Sequence, residues 1–187
     1  MDALMATLIA AALAQAGEKT AWLAAILADR YRPGVVIAAA TLALAINYAL
    51  AAAAGMVAAP MLSPNAKLLL VALSLLLAAG GAPFAPKRPD ALDGWRIGGA
   101  LTALFGLFIM AFGDATQFIT AALAARSPVP WLAAVGATLG SLAVIAPAAV
   151  LGEAGWRRLP LTAIRWGSGG VLLLAGVVLG LQALRLT

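Results

Sequence analysis

The sequence contains no cysteine and no histidine. Without cysteine there is no disulfide and no thiolate metal site. Without histidine the commonest transition-metal ligand and general base is missing, so hydrolases built on a Ser–His or Cys–His pair are excluded. Charge is scarce as well: Asp, Glu, Lys and Arg make up 10% of the 187 residues, against about 25% in a soluble domain. An aqueous fold is thereby excluded, because too few polar side chains exist to cover a surface. Disorder is excluded too, since it needs high charge and low hydrophobicity. What is abundant is apolar: 64% of residues are hydrophobic and the mean hydropathy is +1.03. The net charge of +5 does not form a basic patch, because the 12 Lys and Arg residues sit singly or in small groups between apolar runs. Nucleic acid is not an expected partner. The composition is that of an integral membrane protein, with the lipid bilayer as its surroundings and a bacterial inner membrane as its expected location.

A helix needs about 20 mostly apolar residues to cross roughly 30 Å of hydrocarbon. Segments 3–28, 34–58, 66–83, 98–125, 131–151 and 168–186 satisfy this and predict six spans. Between them lie Asp29-Arg30-Tyr31-Arg32-Pro33, Pro60 to Asn65, Pro83 to Trp95, Arg126-Ser127-Pro128 and Glu153 to Arg165, with the punctuation of aqueous loops. Tyr31, Trp95, Trp131, Trp156 and Trp166 fall near span ends, as an interfacial belt requires. Ala14-Gln15-Ala16 matches a signal-cleavage pattern, but no basic residue precedes it and the apolar run continues to Ala28, so a retained helix is expected. Arg30, Arg32, Lys87, Arg88, Arg96, Arg157, Arg158 and Arg165 fall in the odd-numbered connections, against Lys67, Arg126 and Arg185 on the other side. The excess predicts cytoplasmic odd-numbered connections and both termini on the non-cytoplasmic side.

The two halves of the chain resemble each other. Sliding Gly17 onto Gly113 sets Gln15-Ala16-Gly17-Glu18-Lys19-Thr20 on Ala111-Phe112-Gly113-Asp114-Ala115-Thr116, and sets Ala25, Leu27, Ala28 and Arg30 on identical residues ending at Arg126. The shared Gly-acid-x-Thr core and the arginine carry the match. Three spans per half is an odd number, so the halves must run in opposite orientations. The expected fold is therefore an all-α integral membrane protein of six transmembrane helices as two inverted three-helix repeats. The first is 1–83 and the second 98–187, joined by a cytoplasmic connecting loop at 84–97.

Glu18 and Asp114 fall near the middle of their spans, where a charge costs about 2.5–3.5 kcal/mol. Acids at such depth usually line an ion or proton path. In a continuous helix Gln15 and Glu18 share a face while Lys19 points elsewhere, so Lys19 is expected to pair with Asp114 across the repeat. A purely structural ion pair is the plainer alternative. Gly17 and Gly113 would allow close packing or local unwinding.

The repeated core resembles E-x-G-D-[KR]-[ST], which occurs twice in the family of cation/proton exchangers that includes the Golgi manganese and calcium transporters, within the lysine-exporter superfamily. The stretch Leu23 to Pro33 is similar to that family's first helix, and Gly113-Asp114-Ala115-Thr116-Gln117 resembles its G-D-[KR]-[ST]-Q. The resemblance implies a secondary transporter of Mn²⁺ or Ca²⁺ by cation/proton antiport, without enzymatic activity and with no tightly bound cofactor, the ion being substrate. It implies a site around Glu18 and Asp114, with Gln15, Thr20, Thr116 and Gln117 as further oxygen donors to a hard cation and Lys19 as charge partner. Proton and cation would compete for the same carboxylates. The departures are Gln15 for Glu, Glu18 for Asp, Ala111 for Glu and Ala115 for Lys or Arg. They leave Glu18, Asp114 and Lys19 with a net charge of −1 where the full motifs give −2. An alternative follows from this deficit: a degenerate, non-transporting member serving as accessory subunit of a larger membrane complex. Export of another small solute is a third. The expected protein partners are further copies in a homo-oligomer or that larger complex.

Overall fold

The computed structural model describes residues 2–84 and 86–184. Among these residues every regular element is helical. The order is α1 (Asp2–Gln15), α2 (Lys19–Arg30), α3 (Pro33–Ala58), α4 (Pro64–Gly81), α5 (Gly99–Ala111), α6 (Ala115–Arg126), α7 (Trp131–Trp156) and α8 (Leu161–Ala183). A single 3₁₀ turn, Ala59–Met61, follows α3. Local chemistry sets several boundaries. Ser63 caps α4 by accepting from the Ala66 amide at 3.2 Å, and Pro64 stands in the first turn, where its missing N–H is no loss. Tyr31 turns extended after α2, and Pro33 then opens α3.

Each half runs short, short, long, long. The short pair of one half packs on the first long helix of the other: α1 and α2 lie against α7, and α5 and α6 against α3. The two long helices α3 and α7 touch each other, as do α4 and α8. Alanine fills most of the core, including Ala24, Ala40, Ala43, Ala52, Ala124, Ala137 and Ala148, so the backbones come close. At Gly136 and Gly140 of α7 a Cβ would stand 2.2 and 2.1 Å from the carbonyl oxygens of Leu4 and Leu8, so only glycine permits this contact with α1. The large apolar side chains mostly point outward instead. Leu42, Ile46 and Leu50 on α3 and Leu173, Leu174 and Val178 on α8 are exposed, an arrangement that lipid covers and water does not.

Four helices, α3, α4, α7 and α8, are long and apolar enough to cross a membrane, and α5 with α6, bent by 69°, makes a fifth candidate. The predicted spans 3–28 and 98–125 are thus not continuous helices: each is broken in two, at Ala16–Glu18 and at Phe112–Asp114. The expected loop from Glu153 to Arg165 is also corrected. The helix of α7 is interrupted at Gly152 (φ +67°), a last helical turn runs on to Trp156, and α8 already begins at Leu161, so Arg165 lies one turn inside α8 and is 6% exposed. Its charge read as a loop signal, but backbone carbonyls receive it.

The remaining basic connections converge at one end of the molecule. Arg30 pairs with Asp93 at 3.1 Å, Arg88 grips Glu153 with two bonds of 2.7 Å, and the Asp29 carboxylate accepts from the Glu153 amide at 2.9 Å. These bonds tie the ends of α2 and α7 to the loop between α4 and α5. Asp2 lines a cavity with Arg126, Ser127 and Val129, so the start of α1 adjoins the α6–α7 connection. Arg185, counted on that side, lies outside the described residues.

Candidate functional site

Both helix breaks are built the same way. Gly17 has φ +80° and Gly113 φ +79°, a left-handed turn that L side chains adopt only at a cost. Each glycine is followed by an acid at the N-cap of the next helix, Glu18 before α2 and Asp114 before α6. Gly17 of the first break is buried, whereas Phe112 and Gly113 of the second are exposed and Asp114 is half-buried.

At the second break the polar groups of four elements converge. Asp114 Oδ1 accepts from the Gln117 amide at 2.7 Å and so caps α6. Asp114 Oδ2 accepts from Gln15 Nε2 at 2.9 Å. The same Gln15 nitrogen reaches Tyr48 Oη at 3.2 Å and Thr116 Oγ1 at 3.4 Å. Three oxygens around that nitrogen fix which end of the amide is which. Tyr48 Oη shares a 2.8 Å hydrogen bond with Ser141 Oγ of α7. On the other flank Gln117 Oε1 accepts from the Gly113 amide at 2.6 Å, and Gln117 Nε2 donates to Asn47 Oδ1 of α3. Asn47 in turn donates to the Phe108 carbonyl at 3.4 Å.

Two features of this cluster concern an ion. Gln15 is 1% exposed and its Oε1 has no hydrogen-bond partner, a free acceptor in a buried polar site. The partners of the Asp114 carboxylate are all neutral: a backbone amide and a side-chain amide. Among the described residues the ion pairs are Arg30–Asp93 and Arg88–Glu153, and neither involves it. A carboxylate in such surroundings calls for a proton or a metal ion. Among the described residues no three acids cluster as a preformed metal cage, so neutral oxygens must complete any coordination shell.

The predicted site residues therefore divide. Gln15, Asp114, Thr116 and Gln117 come together. Thr20 is buried in α2, but no side-chain hydrogen bond among the described residues joins it to them. Glu18 does not share the cluster, because the break at Gly17 removes the helical register that would put it on the face of Gln15. It does not cap its helix, and it lines a separate small cavity with Arg165, Ser168 and Leu172. The free space there is about 10 Å³, room for roughly one water molecule. Lys19 is exposed and makes no ion pair with Asp114 or Glu18, so the expected charge partner is corrected. The cation facing the Glu18 cavity is Arg165. Sequence reasoning also passed over Tyr48 as a site residue; its signal was an adjacent pair of polar-tipped side chains, Asn47 and Tyr48, in an alanine-rich span.

The profile of the family described as "Divalent cation/proton antiporter GDT1" matches residues 3–87 and 99–186 of the chain. A Vibrio cholerae serotype O1 protein named "Putative manganese exporter" is 38% identical over 178 residues, which span 93% of this chain and 88% of that protein. No solved structure matches the chain.

Proposed function

On the premise that the chain belongs to the GDT1 family of divalent cation/proton antiporters, we propose that it exports manganese from the cytoplasm in exchange for protons, with the ion bound at Asp114. The protein is a cation transporter, not an enzyme. The observation that carries the site is the Asp114 carboxylate, held by neutral donors alone at a helix break, beside the unpartnered Oε1 of Gln15. Mn²⁺ accepts carboxylate, carbonyl and water oxygens. Asp114, Gln15, Thr116 and water supply them here, with Gln117 and Asn47 holding the break in shape.

The proton and the ion are alternative occupants. With a proton on Asp114 the cluster is neutral and stable without metal. When Mn²⁺ binds, that proton leaves, which is the stoichiometric link an antiporter needs. Glu18 at the corresponding break is the second acid on the path. The motif departures that favoured a non-transporting accessory subunit leave this cluster intact.

The reading of six spans as two inverted repeats draws support from the matched element order and from the way each broken pair packs on the other half's long helix. The broken pairs are the first and fourth spans, and alternating access is a rocking of one half against the other. The bonded end with Arg30, Arg88 and Glu153 faces the cytoplasm, in keeping with its basic residues, and the termini face outward from a bacterial inner membrane.

The test is Mn²⁺ flux in vesicles carrying the purified protein, with an imposed pH gradient. The natural chain should move Mn²⁺ as the pH gradient dissipates, and Asp114→Asn should not. Flux in the natural chain that ignores the pH gradient, or survives Asp114→Asn, overturns the proposal.

A further inference from the structure

Arg165 is an unusual residue to find one turn into a membrane helix. It is 6% exposed, and among the described residues it forms no ion pair. Its Nη2 donates to the Gly81 carbonyl at 3.1 Å, at the C-terminal end of α4 where the helix dipole favours a cation, and to the Phe84 carbonyl in the turn that follows. Its Nε is buried without a partner. Its aliphatic stem lies on the turn of the first helix break: a Cβ on Gly17 would stand 2.5 Å from Arg165 Cγ and 2.6 Å from Cδ. Its side chain and Glu18 line the same cavity. A buried guanidinium held by neutral carbonyls, with one N–H left over, is destabilising unless a charge nearby offsets it. Glu18 is the acid that shares its cavity, and the repeat position that would carry a motif cation in the second half is Ala115.

We propose that Arg165 is the resident counter-cation of the transport path. It balances Glu18, the second acid on the path, and its positive charge opposes the entry of a cation. Both groups sit at the Gly17 turn, so charge at Glu18 and the seat of Arg165 on those carbonyls change together. Seated on the Gly81 and Phe84 carbonyls, the guanidinium shares one small cavity with Glu18. The device keeps affinity low enough for release, and it passes the site's occupancy to the end of α4, next to the loop that is strapped to α2 and α7.

This assignment rests on the transport reading, and the experiment separates the two. Mn²⁺ affinity by calorimetry and Mn²⁺ flux in vesicles are measured for the natural protein, Arg165→Gln and Arg165→Lys. Removing the opposing charge should tighten Mn²⁺ binding about tenfold or more while lowering the maximal flux. Arg165→Lys should restore affinity toward the natural value. Melting without metal supplies an independent check. Glu18→Gln alone should lower the melting temperature by leaving Arg165 unbalanced, and Glu18→Gln with Arg165→Gln should recover part of the loss. Unchanged or weakened Mn²⁺ affinity in Arg165→Gln overturns the assignment, as do additive losses in the double variant. A natural protein that binds no Mn²⁺ overturns the transport reading and takes this assignment with it, whereas a binding natural protein with an indifferent Arg165→Gln removes the assignment alone.

Discussion

At Asp114 the chain turns through a left-handed glycine and the carboxylate bonds back to the first turn of α6, whereas at Glu18 it turns through the same conformation and the carboxylate caps nothing. One methylene separates the two side chains. Asp at an N-cap has the length to accept from the backbone amide three residues on, as it does from Gln117, and Glu is not among the good N-caps. The surroundings diverge in parallel. Gly113 has open space where a Cβ would go, while Gly17 is pressed by the stem of Arg165. Two breaks with one backbone geometry thus hold two kinds of site: an acid among neutral oxygens and amides, and an acid opposite a buried cation. An internal repeat conserves the scaffold that delivers the acid, and the side chains from the other half decide what the acid meets.

The largest effect should come from removing charge at the second break. Asp114→Asn keeps a competent cap but loses the acceptor for Gln15 Nε2, so the metal-free melt should fall by on the order of 1 kcal/mol. A ligand at 100 times its dissociation constant stabilises by about 2.7 kcal/mol. That Mn²⁺-dependent increment should vanish in the variant, and a surviving increment would shift the ion site to the first break.

Making the second break resemble the full motif sharpens the contrast. Gln15→Glu removes the donor to Asp114 Oδ2 and sets a second carboxylate beside it. Without metal the melt should fall by on the order of 1–3 kcal/mol, and Mn²⁺ should return more than it does to the natural protein, because two acids then face the ion. Adding Ala111→Glu should enlarge the Mn²⁺ effect further. Equal metal responses in all three proteins would mean that Gln15 does not face the ion.

The glycines test the packing side of the comparison. Gly113→Ala should cost about 1–2 kcal/mol, the strain of a left-handed L-residue. Gly17→Ala should cost more, since its Cβ also overlaps the Arg165 stem. Equal losses in thermal melts would show that Arg165 yields freely. The smallest change is Glu18→Asp, which gives α2 the cap that α6 has. It should raise stability by roughly 0.5–1 kcal/mol and lower Mn²⁺ flux, because the shortened carboxylate turns to the backbone and away from the cavity. A rise in flux would break the contrast between the two acids.

Much of this was legible before any coordinates. The repeated Gly-acid-x-Thr core marked both glycines as places for close packing or unwinding, and four of the six proposed ligand residues do meet. Lys19 and Arg165 were misread for a shared reason. Charge in a sequence signals water or a partner, and nothing local says which. Lys19, in the middle of an apolar stretch, pointed to a buried pair and is exposed; Arg165, beside Pro160 and two other arginines, pointed to a loop and is buried. The pairing of Gln15 with Glu18 failed differently: it assumed unbroken helical register across Gly17.

The sequence by itself determined the solvent, the helical class and the two glycine–acid positions at which the chain can turn. Each follows from properties carried by consecutive residues: hydropathy summed over a span, the absence of strong ligands and bases, and a glycine able to turn left-handed before an acid. The tertiary structure decided which residues face those acids. Gln15 comes to Asp114 from the other half of the chain, Tyr48 and Asn47 from α3, Ser141 from α7, and Arg165 reaches Glu18's cavity from α8. Those meetings are set by how alanine- and glycine-lined helices pack across the repeat, a sum of many weak contacts between distant segments that no local stretch encodes.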